Sequence, residues 1–404
     1  MGKIDRLVYI ANARLPTEKA HGYQITKMCE AFANDGVQVR LLHPRRHQLD
    51  PALARSNVYE FYGVPPIFAV STLSNPDVIR LERVVPGRLF PAVFLSHALT
   101  WGLYAAFSAR KEKADLYYTR DPTIAYWLVR FGLPTVYEAH VVPSGARRWL
   151  LQRIAEKKPL LLVVAITSHI RERLIGMGFA AERVGVFPDG VDLSLFDGLP
   201  SKGECRQRLG LPEERAIIGY VGRFRTLEME KGIPELVEAM ADVRPVNGSE
   251  PLLLCVGGPM ETVPIYLDHA RRLGVSEQRL QFVDRVPNRE VPYWIRSCDV
   301  VTIPWPWTEF SAYFTSPLKL FEYMAADVPI VASDLPSIGE VLRHGENACL
   351  VEAGNPRALA EGIDRVLGDD SLSSKLAQHA RREASNYTWK QRAERVLKHV
   401  VQYL

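Results

Sequence analysis

The stretch AIIGYVGRFR, residues 216–225, marks the start of a second domain. Residues 216–221 form a continuous apolar run rather than an in–out alternation, as expected of a parallel strand covered on both faces. Gly222 ends it with a turn, and Arg223 emerges at the strand end. Lys231 and Gly232 then lead into a helical pattern over 233–243. The same rhythm continues with strands expected at 252–256, 281–283, 300–303 and 330–332, and helices at 265–273, 291–297 and 317–325. Strands alternating with helices in this way predict a doubly wound α/β domain.

An equivalent rhythm precedes it. Strands are expected at 7–11, 37–42, 116–119, 135–138 and 160–165, with a first helical pattern over 23–34. The run PDGVDLSLFDGLP, residues 188–200, concentrates proline, glycine and aspartate as a linker does. The chain therefore divides into a domain over 1–190 and another over 191–387, and the last helix, 388–404, lies beyond the second domain and is free to pack back on the first. Open α/β sheets bind ligands outside the carboxyl ends of their strands, so the loops there hold the candidate residues.

Composition narrows the function. The 404 residues are 47% hydrophobic and 24% charged, the balance of a globular protein. A net charge of +4 is too small at this length to argue for nucleic acid, although it suits anionic substrates or a membrane surface. Five scattered cysteines without a C-x-x-C pair suggest reduced thiols in a cytoplasmic protein and no metal site. The N-terminus, MGKIDRLVYIAN, reads as a first strand, not a signal peptide. Residues 89–109 carry no formal charge, but Pro91, Ser96, His97, Thr100 and Gly102 dilute them, so a buried or partly membrane-facing helix is expected rather than a span.

Four constellations offer chemistry. In TSPLKLFEYMA, residues 315–325, Ser316 is expected to cap a helix and Pro317 to begin it. Amides at Thr315, Ser316 and Leu318, with Lys319, would favour a phosphate, and Glu322 could hold a vicinal diol. The plain alternative is an ordinary capped helix with surface charges. Gly222, Arg223 and Lys231 form a second group, in which arginine and lysine suit a diphosphate and solvated side chains are the alternative. A third is AHGY, residues 20–23, where Gly22 permits close approach beside His21. The fourth comprises two strand ends, YTRDP (118–122) and YEAH (137–140), which supply Arg120, Glu138 and His140. No G-x-G-x-x-G or P-loop signature occurs, which disfavours dinucleotide enzymes and P-loop NTPases.

In this order the motifs resemble glycosyltransferase family 4, the retaining nucleotide-sugar enzymes of GT-B fold. The resemblance rests on AHG, TRD, YEAH, PDGVDLSLF, GRF with KG, CDVVTIP, and SPLKLFEYMAADVPIVASD. It implies two Rossmann-like doubly wound parallel-sheet domains facing each other across a cleft, an acceptor-side first domain and a nucleotide-sugar-binding second. Arg223 and Lys231 would hold the donor diphosphate with amides near Thr315–Leu318, and Glu322 the ribose. The loop after Val283 would meet the base, Gly22 would line the diphosphate, and His140 would approach the reacting sugar or acceptor. His21, Arg120 and Glu138 are acceptor-side candidates. A nucleoside-diphosphate sugar is the co-substrate, and neither cofactor nor metal is expected.

One position departs from the family. Its members commonly carry two glutamates with seven residues between them, and here the first position is Phe314, with Glu309 out of register. Recognition of the donor sugar therefore does not carry over. Phe314 keeps a non-catalytic nucleotide-sugar-binding protein open as an alternative, and a GT-B nucleotide-sugar epimerase or hydrolase is another. The acceptor is a glycan, a lipid-linked glycan or a small molecule. The basic stretch GARRWLLQRIAEKK (145–158), with the 89–109 segment, suggests a peripheral contact at the inner membrane face, a basic helix covering the first domain being the alternative.

Overall fold

The computed structural model describes residues 3–46, 51–74, 90–226 and 229–404, with the backbone alone at 51–52 and 90–95. Leu89, the first residue of the uncharged segment, lies outside them. The chain forms two compact units, one over Met1–Pro188 with Trp389–Leu404 and the other over Asp189–Thr388.

The first unit is built on a seven-stranded sheet in the order β3-β2-β1-β4-β5-β6-β7. Its strands are β1 (Arg6–Ile10), β2 (Gln38–Pro44), β3 (Ala69–Leu73), β4 (Leu116–Thr119), β5 (Thr135–Ala139), β6 (Leu160–Ala165) and β7 (Val184–Val186). All neighbouring pairs run parallel. The strand order reverses between β1 and β4, and the loops leaving those strands diverge there. The Phe90–Arg110 helix buries Trp101, Ala105, Ala106 and Ala109 against Val8, Ile10 and Tyr117. It leaves Leu103, Tyr104 and Phe107 exposed. No helix among the described residues is long and apolar enough to cross a membrane.

In the second unit, β8 (Ile217–Val221) is followed by a two-stranded antiparallel ribbon, β9 (Arg225–Thr226) and β10 (Met229–Glu230). The remaining strands are β11 (Leu252–Val256), β12 (Leu280–Val283), β13 (Val300–Ile303), β14 (Ile330–Ser333) and β15 (Cys349–Val351). With β8 they make a six-stranded parallel sheet in the order β12-β11-β8-β13-β14-β15, which reverses between β8 and β13. Alternate residues of the central strands feed different cores. Ile217, Val221, Leu252 and Leu254 face one helical layer, while Ile218, Tyr220, Leu253 and Cys255 face the other. Covering on both faces explains why these strands read as unbroken apolar runs.

The Trp389–Val401 helix belongs to the first unit, where the Trp389 ring meets Tyr23 of the Ala20–Asn34 helix edge-on at 6.4 Å. All five cysteines are buried and free. One expectation is corrected. The helix near Ser316 begins at Leu318, not at Pro317, and no side chain caps it. The Ser316 hydroxyl instead accepts the Asp189 amide at 2.8 Å, so it ties the linker to the helix entry.

Candidate functional site

In the second unit the carboxyl end of β8 gathers cations. The Gly222 amide donates to the Val256 carbonyl at 2.7 Å, and a Cβ on Gly222 would stand 2.5 Å from the Lys319 Nζ. With φ of +150°, this position suits glycine on both counts. Lys319 projects from the first turn of the Leu318–Ala325 helix. Its ammonium is buried, finds no hydrogen-bond acceptor, and lies 3.6 Å from the Tyr220 ring centroid. Burial, and then the neighbouring Lys231 charge, push its pKa well down, with Glu322 opposing.

Lys231 is 8% exposed and lies 4.2 Å over the Trp305 ring and 5.6 Å from that of Phe310. Burial lowers its pKa to about 8. It precedes the Ile233–Ala239 helix, whose N-cap Gly232 has φ of +84° and would overlap the Pro304 carbonyl if it carried a Cβ. That close approach brings Lys231 to the end of β13. Aromatic faces therefore lie against both lysines. Among the described residues neither makes a salt bridge. Arg223, two residues past the end of β8, is exposed, its Nε 3.4 Å from the Arg225 carbonyl.

The Leu318–Ala325 helix is pinned in register with this strand end. Tyr323 donates its hydroxyl to the Val221 carbonyl at 3.1 Å and accepts the Val221 amide at 2.7 Å. One turn into the helix lies Glu322, partly exposed by area yet with its carboxyl well enclosed. Burial raises its pKa to about 7 against the pull of Lys319. Thr315 donates its hydroxyl to the Ser311 carbonyl at 2.9 Å and meets the Ser337 hydroxyl at 3.1 Å. Val283 ends β12, where its carbonyl accepts the Gly257 amide at 2.9 Å. Phe314 closes the Glu309–Tyr313 helix, its amide donating to Phe310 at 3.0 Å.

The first unit groups its candidates at the ends of β4 and β5. Glu138 is fully buried, which corrects the expectation that it faces an acceptor. Its carboxylate accepts from Gln24 Nε2 at 2.6 Å, His140 Nε2 at 2.5 Å, the Tyr118 hydroxyl and Arg392 Nη1 at 3.3 Å. Burial alone would raise its pKa, but Arg392, His140 and Arg120 together hold it well below the usual carboxylate range. Arg120 donates to Gln24 Oε1 at 2.9 Å. His21 is lowered to about 4, first by burial and then by the positive charges of Arg120 and Lys19. At Gly22 a Cβ would overlap the Tyr62 hydroxyl, which bonds the amide and carbonyl of Thr17. Internal packing alone thus requires that glycine.

Sequence reasoning overlooked Tyr220, Trp305 and Phe310 as faces for the lysines, and Arg392 and Gln24 as partners of Glu138. Two aromatics in the IPWPW run after β13 were the available signal for the first group. Nothing local marked the second.

Two doubly wound parallel sheets of this order, with charged loops at their reversal points, define the GT-B class of glycosyltransferases. The solved Anabaena Alr3699/HepE in complex with UDP superposes with a TM-score of 0.70 at 19% identity, covering 98% of this chain and all of that one. Sucrose-phosphate synthase from Thermosynechococcus elongatus gives 0.71 at 19% identity, covering 98% of both chains. The family profile described as Glycosyltransferase Family 4 matches residues 22–195, and that described as Glycosyl transferases group 1 matches residues 215–369. The chain belongs to glycosyltransferase family 4. Curated relatives include D-inositol 3-phosphate glycosyltransferases from Thermobispora bispora and Salinispora arenicola, each 27% identical. The first match covers 67% of this chain and 66% of the relative, and the second 81% and 76%.

A buried donor without an acceptor costs about 1–3 kcal/mol. Lys319→Met should therefore stabilise the ligand-free protein by about that amount, read from urea denaturation. Destabilisation would show that the ammonium is satisfied in a way its geometry does not indicate.

Proposed function

We propose that the protein transfers a sugar from a nucleoside-diphosphate sugar to an acceptor hydroxyl, with retention at the anomeric carbon. The observation that carries this reading is the pair of lysines, Lys231 and Lys319, that lie against aromatic rings at the end of β8 and make no salt bridge among the described residues. Such cations call for an anionic guest. Arg223 lies two residues past the end of β8, and the uncapped amides at the start of the Leu318–Ala325 helix add a positive dipole end. A diphosphate meets that set, Glu322 takes the ribose hydroxyls one turn on, and the loop after Val283 takes the base. The Anabaena neighbour is described in complex with UDP-glucose, which supports a uridine nucleotide as the first donor to try.

In this reading the C1–O bond to the diphosphate breaks while a new C1–O bond to the acceptor forms on the same face. The acceptor proton passes to a leaving-diphosphate oxygen. Negative charge grows on the diphosphate as the bond breaks, and preplaced cations stabilise it most at that moment. Three side-chain cations supply that stabilisation, and the reading requires no metal. His140 is assigned to the reacting sugar or acceptor, with Arg120 and His21 nearby in the first unit. Phe314, standing where the family resemblance leads one to expect a glutamate, favours a donor sugar held by fewer hydroxyl contacts. It also motivates the second reading, a non-catalytic nucleotide-sugar-binding protein, which binding without turnover across a broad acceptor panel would identify. The exposed Leu103, Tyr104 and Phe107, together with exposed Trp149 under Arg153, support peripheral docking of the first unit on an anionic membrane.

Arg223→Ala and Lys231→Ala should each weaken UDP binding by about 1.5–3 kcal/mol, the loss of one charged hydrogen bond. Unchanged calorimetric affinity in both variants would reject the diphosphate assignment.

The bound form needs Lys231 protonated. Affinity should fall as pH rises through about 8, where Lys231 of the free protein loses its proton. Near that pH, binding should take up protons, seen as a buffer-dependent heat that Lys231→Met reduces. Proton release would contradict the reading.

NMR of the first product formed should show the donor's anomeric configuration; inversion would exclude a retaining transferase.

Co-sedimentation with vesicles rich in phosphatidylglycerol should exceed that with phosphatidylcholine and drop in high salt or in an Arg147→Ser, Arg148→Ser variant. Indifference to lipid charge would remove the membrane contact.

A further inference from the structure

The carboxylate of Glu138 lies at the centre of a buried network whose members come from four parts of the first unit. Its oxygens accept from Gln24 and His140 on one side, and from Tyr118 and Arg392 on the other. Glutamine, tyrosine and arginine can only donate to an ionised carboxylate in this arrangement. Burial keeps the Tyr118 hydroxyl protonated. The fourth partner, His140, is the one group whose proton is variable. Facing an acceptor that has no proton to give, its Nε2 must be the N–H nitrogen, and the neutral ring is thereby set in a single tautomer.

What allows the carboxylate to stay ionised without taking a proton from this arrangement is Arg392. Its guanidinium is nearly fully buried and pairs with Glu138 at 3.3 Å. It also donates Nε to the Pro188 carbonyl at 2.8 Å and Nη2 to that of Phe187 at 3.1 Å, so its position is fixed by backbone. Among the described residues it is the one permanently charged side chain paired with Glu138. A second cation, Arg120, stands one hydrogen bond removed through Gln24, whose amide is oriented by donating to Glu138 and accepting from Arg120. The further titratable and charged groups around the network are His21 on the adjoining helix with Lys19 and Glu18 just before it, Tyr9 on β1, Cys29, and Arg147 and Asp121 near Tyr137. Two fixed guanidinium groups against one carboxylate disfavour a further positive charge on His140.

We propose that Glu138 and Arg392 are positioning residues for His140. Arg392 neutralises Glu138 permanently and so keeps His140 neutral against the pull of the carboxylate, while Glu138, accepting from Nε2, fixes the proton of the neutral ring on that nitrogen. The proposal rests on the assignment of His140 to the reacting sugar or acceptor for its catalytic meaning, though not for its test. A ring in fixed tautomer and orientation presents the same nitrogen to its substrate at every turnover. Without Arg392, the carboxylate would find its counter-charge by protonating His140.

The test is long-range 1H–15N spectroscopy of the full chain labelled at histidine nitrogen, with the His140 signals assigned by loss in His140→Gln. Wild type should show the neutral Nε2–H form from pH 6 to 8. Arg392→Met should show a doubly protonated His140 at pH 7, and Arg392→Lys should restore the neutral form. The corresponding kinetic signature is a fall in kcat of at least tenfold at pH 7 in Arg392→Met, with the donor KM within twofold of wild type. A wild-type spectrum showing the Nδ1–H tautomer or rapid averaging of both would overturn the proposal, and it requires no variant to fold. The same titration in Arg392→Met and wild type would also overturn it. Failure of the protein to use nucleotide sugars would reject the proposed function and leave these spectra interpretable.

Discussion

A buried ammonium without a hydrogen-bond acceptor is among the more expensive groups a protein can carry, and Lys319 is such a group. Much of the second unit is arranged around it. Gly222 gives up its side chain so that the amine can reach the end of β8, Gly257 lets the Gly222 backbone approach closely, and Tyr220 offers the amine a π face. Tyr323 locks the helix that carries it to Val221. Lys231 approaches the same Trp305 ring from another element and makes the cost greater. Two lysines so close together, and among the described residues without a salt bridge, lower each other's tendency to carry charge, against which Glu322 pulls on Lys319.

The fold was legible because burial on both faces of a parallel sheet leaves a plain mark in sequence. The unbroken runs at β8, β11 and β6 could only be central strands, and the linker chemistry at 188–200 separated the halves. Strands that escaped notice are peripheral and short, β7 and β15 of three residues each, or only partly buried, as β3 is. Edge strands pack on fewer neighbours, and their composition is correspondingly less constrained. The ribbon of β9 and β10, two residues per strand, is below the length at which any periodicity can be read.

The site was legible as a set of residue types at strand ends, less so as a set of contacts. Ser316 followed by Pro317 has the local chemistry of a helix start, yet a hydroxyl can serve a distant amide equally well, and here Asp189 claims it. Gly22 seemed placed for a ligand, whereas Tyr62, from a separate helix, fills the space beside it. Glu138 seemed a polar group at a strand end and proved wholly enclosed. In each case the deciding partner is tens to hundreds of residues away, and no spacing rule reaches that far. Charge type survives the passage from sequence to structure better than charge environment does.

The Glu138–Arg392 pair spans 254 positions of the chain, with the whole second unit encoded between its members. During synthesis, the strands of the first unit emerge long before the guanidinium that neutralises their buried carboxylate. Trp389, which covers Tyr23, is equally late. Until the final helix leaves the ribosome, the first unit holds an unmatched interior charge and an uncovered apolar helix face. Its folding is therefore completed only after the second unit has been made, so a nascent or proteolytically shortened chain would keep an intact second unit and an unfinished first.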